Sequence, residues 1–98
     1  MLVTNYLWRP LFPALRAALA DDGVLLYETF ADGHQALGRP SRPDFLLQPG
    51  ELLGLAAGLQ VVAYEAGRLE DPPRIVQRLA ALGPRSLPDR IVRLKEAP

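Results

Sequence analysis

Cysteine is absent from these 98 residues. Disulfides, thiol nucleophiles and cysteine metal sites are therefore excluded, and the composition accords with a reducing compartment. A surplus of charge is also missing: eleven basic and eleven acidic residues cancel, which argues against a broad electrostatic footprint for nucleic acid. One histidine cannot build a multi-histidine metal site, and no other metal-ligand spacing occurs. No stretch approaches the roughly 18 apolar residues of a membrane span, and there is no leader of basic, apolar and small residues. The only serines are Ser41 and Ser86, and neither sits in a nucleophile elbow. These absences predict a soluble cytoplasmic protein with no metal, membrane or nucleic-acid partner, and they speak against a hydrolase.

What is present is a chain 49% hydrophobic with three phenylalanines, three tyrosines and one tryptophan. That suits one small folded domain rather than general disorder. Residues 1–83 hold seven basic and nine acidic side chains, whereas residues 84–98 hold four basic and two acidic. We divide the chain there, into an α/β domain (1–83) and a mildly basic C-terminal extension (84–98). The extension is read as helical, packed on the sheet or solvated.

"LVTNYLW" (2–8) is β-branched and aromatic and reads as a strand until Arg9-Pro10 turns the chain. In "PLFPALRAALADDG", Leu11, Phe12, Leu15 and Leu19 share one helical face, and Pro10 and Pro13 are tolerable in the first turn. "VLLYETF" (24–30) is apolar on both faces up to Glu28 and reads as a central strand. Strand, helix and strand in so short a span predict a right-handed parallel βαβ unit. Residues 31–50 form a long loop of the kind that serves as a lid or binding loop. A second helix follows over about 49–57, then a strand in "LQVVAYEAG", a turn in "RLEDPP" and a strand in "RIVQRLAAL". That last segment suits a helix by composition, but its shortness and the tight Asp-Pro-Pro turn favour a strand antiparallel to its neighbour. Ser86, Pro88 and Asp89 can start a third helix near 87–95, with Leu87, Ile91 and Leu94 on one face. The predicted architecture is thus a four-stranded mixed sheet in the order 1-2-4-3, last strand antiparallel, with helices at about 10–21 and 49–57.

This order, with the local words "TNYLWRPLFPAL", "GVLLYETF", "RPDFLLQPGELLGLAAGLQVVAYE" and "RIVQRLAA", resembles the second half of a class I S-adenosylmethionine-dependent methyltransferase. The similarity is to the tellurite-resistance-like small-molecule methyltransferases and covers about residues 2–82. The resemblance implies a truncated Rossmann-like half. The glycine-rich loop and ribose-holding acid of the family belong to the first half, and no G-x-G-x-x-G occurs among these residues. It therefore implies no cofactor for the isolated chain, and S-adenosylmethionine only where the other half is supplied. It also implies a bare sheet face and a bare edge on the first strand, both association sites. The C-terminal segment, a second copy or a complementary N-terminal half chain are the candidates to cover them.

The candidate substrate-binding residues are Asn5, Tyr6, Arg9, Glu28, His34 and Phe45. Asn5 and Tyr6 lie at the carboxyl edge where α/β sheets take ligands, or serve as turn and core. Glu28 can hold a substrate cation or pair with Arg9. His34 needs a poised partner to act as a base and otherwise reads as a solvated loop residue. Phe45 belongs to the loop which, by resemblance, closes over a small acceptor. Otherwise Phe45, Leu46 and Leu47 anchor that loop in the core. No residue is assigned a catalytic role. The resulting reading is a remnant or split half of a methyltransferase, inactive alone; a non-catalytic protein-interaction module is the alternative.

Overall fold

The computed structural model describes residues 1–19, 23–83 and 95. It contains strands β1 (Leu2–Thr4), β2 (Val24–Phe30), β3 (Gln60–Glu70) and β4 (Pro73–Leu82), with helices α1 (Leu11–Ala18) and α2 (Glu51–Leu55). The four strands form one sheet in the order β1-β2-β4-β3. β1 runs parallel to β2, with Leu2 opposite Leu26 and Thr4 opposite Glu28. β4 lies antiparallel between β2 and β3. The architecture is the mixed α/β sheet read from the sequence. The helix expected near 87–95 lies outside the described residues apart from Lys95.

Both helices pack on one face of the sheet. Phe12 and Leu15 of α1 and Leu52 of α2 meet Leu25, Tyr27, Leu79 and Ala81, all buried. The Phe12 and Tyr27 rings lie 5.0 Å apart, centroid to centroid, within the range of favourable aromatic pairs. Removing a ring such as Phe12 costs about 3–5 kcal/mol. Gln77 is buried yet satisfied. Its Oε1 accepts the Leu52 N–H at 3.1 Å and its Nε2 donates to the Gln48 carbonyl at 2.7 Å. β4 thereby fixes the start of α2, whose first N–H groups lack helical partners.

Among the described residues no element covers the opposite face. β2 has strands on both sides, but it is not covered on both faces: Val24 and Leu26 are each 46% exposed while Leu25 and Tyr27 are 1% exposed. Leu26 belongs instead to a groove of about 300 Å³ that also takes in Leu2, Ala63 and Ala80.

Several boundaries differ from those read in the sequence. β1 stops at Thr4 rather than running to Trp8, because Asn5 adopts a left-handed backbone at φ 55°, which asparagine tolerates better than most residues. The chain then turns so that Leu7 is buried while Trp8 is 54% exposed. α2 is shorter than 49–57, since Gly50, at φ 72°, can begin a helix but not lie within one. β3 extends through Arg68, Leu69 and Glu70, which pair with Ile75, Arg74 and Pro73. The turn is thus only Asp71-Pro72, not the whole of "RLEDPP".

Candidate functional site

The candidate residues gather where β1 and β2 end, beside the 31–50 loop. That loop is bound to the sheet, not draped over it. The Leu47 N–H donates to the Phe30 carbonyl at 3.0 Å and the Asp32 N–H to the Leu47 carbonyl at 2.8 Å. Leu46 and Leu47 are buried, whereas Phe45 is 45% exposed. Two of the three expected anchors therefore hold the loop, and the third faces a cavity.

That cavity, of about 260 Å³, brings Asn5, Tyr6 and Phe45 together with Thr29, Phe30 and Pro40. A second hollow of about 560 Å³ brings Asn5, Glu28 and His34 together with Phe30, Arg39 and Arg74. Asn5 lies between the two, fixed by its N–H donating to the Glu28 carbonyl at 2.9 Å. Tyr6 is placed through its carbonyl, which accepts the Tyr27 hydroxyl proton. Burial of Tyr27, and to a lesser degree the nearby Tyr6, pushes its phenol up to about 12.

Arg9 lines neither hollow. Its guanidinium donates to both carboxylate oxygens of Glu51, with the Nη2 bond at 3.0 Å. It also donates to the carbonyls of Asp44 at 3.0 Å and Leu46 at 2.9 Å. The pairing of Arg9 with Glu28 weighed from the sequence is not formed. Hydrogen bonding from Arg9 holds the Glu51 carboxyl below its ordinary value against the opposing effect of burial, and the Gln48 N–H adds to the lowering. The same bond raises the Arg9 guanidinium.

Glu28 instead faces Arg78, directly opposite on β4, with Oε1 3.5 Å from Nη1. Arg78 also holds Glu65 of β3 at 2.7 Å. This Glu-Arg-Glu row crosses three strands on the open face.

His34 is 4% exposed, not a solvated loop residue. Its Nδ1 accepts the Ile75 N–H at 3.2 Å and its Nε2 lies 2.9 Å from the Arg39 carbonyl. Its ring sits 4.3 Å from that of Phe30, centroid to centroid. Both nitrogens are engaged in holding the loop, so the ring as placed has none to offer a substrate.

Sequence reasoning missed Arg78, Pro40 and Glu51 as neighbours of the site. Only Glu51 left a trace, as an acid in the first turn of a helix, where it accepts the Gln48 N–H at 2.9 Å. Arg78 depends on cross-strand register and has no local signature.

Chemically, the smaller cavity offers aromatic walls with the amide of Asn5 and the hydroxyls of Tyr6 and Thr29. Among the described residues that line it there is no carboxylate, imidazole or amine. Among the described residues no group of His, Asp and Glu is arranged to hold a metal ion, and no helix is long and apolar enough to cross a membrane. Comparisons with protein-family models, with curated proteins and with solved structures find no match.

Proposed function

We propose that this chain is the acceptor-side half of an S-adenosylmethionine-dependent small-molecule methyltransferase, truncated Rossmann-like in fold and without transfer activity by itself. One observation carries the reading: the sheet order β1-β2-β4-β3, with β1 and β2 parallel and β4 reversed, is the order the resemblance implies for residues 2–82. The described residues do not fit the cofactor on their own. The connection after β1, residues 5–10, contains no glycine, whereas the family's nucleotide rests on a glycine-rich loop. The adenosyl group would be held by the complementary half chain, with Asn5 and Tyr6 lining the acceptor side.

The test is an NMR titration of the labelled chain with S-adenosylmethionine, alone and with a first-half chain carrying the strand and glycine-rich loop. The expected outcome is no site-specific shift at Asn5, Tyr6 or Glu28 alone, and saturable shifts there in the mixture. Sub-millimolar cofactor binding by the lone chain, or no binding by the mixture, would overturn the proposal.

A second reading, a non-catalytic interaction module, is favoured by the open sheet face. There Leu2 is 70% exposed, beside Leu26 at 46%. Such a contiguous apolar surface marks an association site, and a second copy of the chain is the simplest occupant.

A further inference from the structure

Only seven side chains in this protein are aromatic. Three of them, Tyr6, Phe30 and Phe45, line one cavity of about 260 Å³. Two of those, Tyr6 at 50% and Phe45 at 45%, are half exposed, an arrangement that leaves ring surface available to a ligand. Pro40 and Phe45 also wall an adjoining hollow of about 600 Å³, whose other lining residues are Arg39, Ser41 and Arg42. The two spaces share a wall, and among the described residues neither is lined by an acid. In a chain of zero net charge, this is a local excess of cation beside an aromatic floor.

The arginines are placed to act. The Arg39 main chain is fixed by its carbonyl contact with the buried His34 ring, and its guanidinium enters no salt bridge among the described residues. The Arg42 guanidinium carbon lies 5.8 Å from the Phe45 ring centroid, within cation–π range. Its one ion pair among the described residues, with Asp44 at 3.1 Å, leaves the two side chains 72% and 67% exposed. An exposed pair of that kind contributes little and exchanges readily for a ligand anion. A guanidinium fork matches a carboxylate, and a flat ring matches the aromatic walls. The asparagine amide of Asn5 supplies a neutral polar contact at the far end.

From this juxtaposition we infer that the two hollows form one binding site for a small aromatic carboxylate, its ring between Tyr6, Phe30 and Phe45 and its charge on Arg39 and Arg42. As the identity of a methyl acceptor this rests on the reading above. As a binding site it does not, and the test uses no S-adenosylmethionine, so the two fail separately.

The experiment is an NMR titration of the labelled full chain with benzoate, benzyl alcohol and acetate. Benzoate should give saturable shifts at Asn5, Ser41 and Phe45. Lacking the charge or the ring, benzyl alcohol and acetate should each bind about tenfold more weakly or worse. Arg39→Gln should weaken benzoate but leave benzyl alcohol unchanged, while Phe45→Ala weakens both. Because both side chains are exposed, amide shifts elsewhere report that the variants keep the fold. Equal affinity for benzoate and benzyl alcohol, indifference of benzoate to Arg39→Gln combined with Arg42→Gln, or no saturable shifts with benzoate would overturn the inference.

Discussion

Arg9 and Glu51, 42 positions apart in sequence, form a two-point ion pair in which one guanidinium meets both carboxylate oxygens. The pair joins the turn after β1 to the start of α2. A second arginine does the matching work at the other end, where Arg16 Nη1 of α1 donates to the Leu55 carbonyl at 2.6 Å. α2 is only five residues long, far too short to be stable by its own hydrogen bonds. It is held instead by two cations from the first strand–helix unit and by the Gln77 amide from the sheet.

Arg9→Met should therefore destabilise the fold by roughly 1–3 kcal/mol at neutral pH, since it also strands the Leu46 carbonyl. Glu51→Gln should cost less. The pH dependence has a definite sign. The folded state lowers the Glu51 carboxyl from its ordinary 4.5, so its stabilisation is present above that value and is lost as pH falls through the lower folded value. Urea denaturation at pH 7 and pH 3 checks this: the gap between Glu51→Gln and the native chain should shrink at the acid end.

The sheet was legible in the sequence because its strands carry local signals, as in the apolar run of "VLLYETF" and the tight Asp-Pro-Pro turn before Ile75 and Val76. Boundaries were less so. Asn5 ends β1 through a backbone state that composition does not reveal, and Arg68 and Glu70 belong to β3 only because Ile75 and Pro73 stand opposite them. The site was legible as a place, not as a set of roles. Asn5, Tyr6 and Phe45 meet in one cavity. Arg9 is instead engaged with Glu51, Glu28 with Arg78, and His34 with the backbone of the loop and of β4. Such partners lie at long sequence separation and follow from register and packing.

The loop role of His34 fixes its tautomer. The Ile75 N–H points at Nδ1, so that nitrogen accepts and the proton sits on Nε2, donating to the Arg39 carbonyl. Long-range ¹H–¹⁵N NMR of the neutral ring should show the proton on Nε2 and none on Nδ1. The opposite tautomer would contradict this geometry. His34→Ala leaves both backbone groups unpaired and should cost about 1–3 kcal/mol, with the largest shift changes at Phe30, Ile75 and Arg39.

The open sheet face gives a contrast between surface and core. Leu26→Lys changes a residue that is 46% exposed and should alter stability by about 0.5 kcal/mol or less. It should nonetheless reduce concentration-dependent association seen by light scattering. Association undiminished in Leu26→Lys, or a native chain that stays monomeric at NMR concentrations, would remove the interaction-module reading. Leu25→Lys, one residue away but 1% exposed, should prevent folding.

Tyr27 couples the core to the site. Its ring is buried against Phe12, and its hydroxyl donates to the Tyr6 carbonyl, so the cavity wall at Tyr6 depends on a proton held inside the protein. Burial raises the phenol from 10.0 to about 12. A raised folded value means that the stabilisation is complete below the unfolded value and is lost as pH rises through the folded one. Between those limits the unfolded chain gives up the proton first, and stability falls. Tyr27→Phe removes this titration. It should be less stable than the native chain at neutral pH, by about 1 kcal/mol for the lost hydrogen bond. It should also lose less stability between pH 9 and pH 12 than the native chain does, reversing or closing the gap. Parallel denaturation curves across that range would show that the phenol proton contributes nothing to the fold. In the same variant the Asn5 and Tyr6 amide resonances should move at neutral pH, because their position depends on the Tyr27 hydroxyl and not on the ring alone.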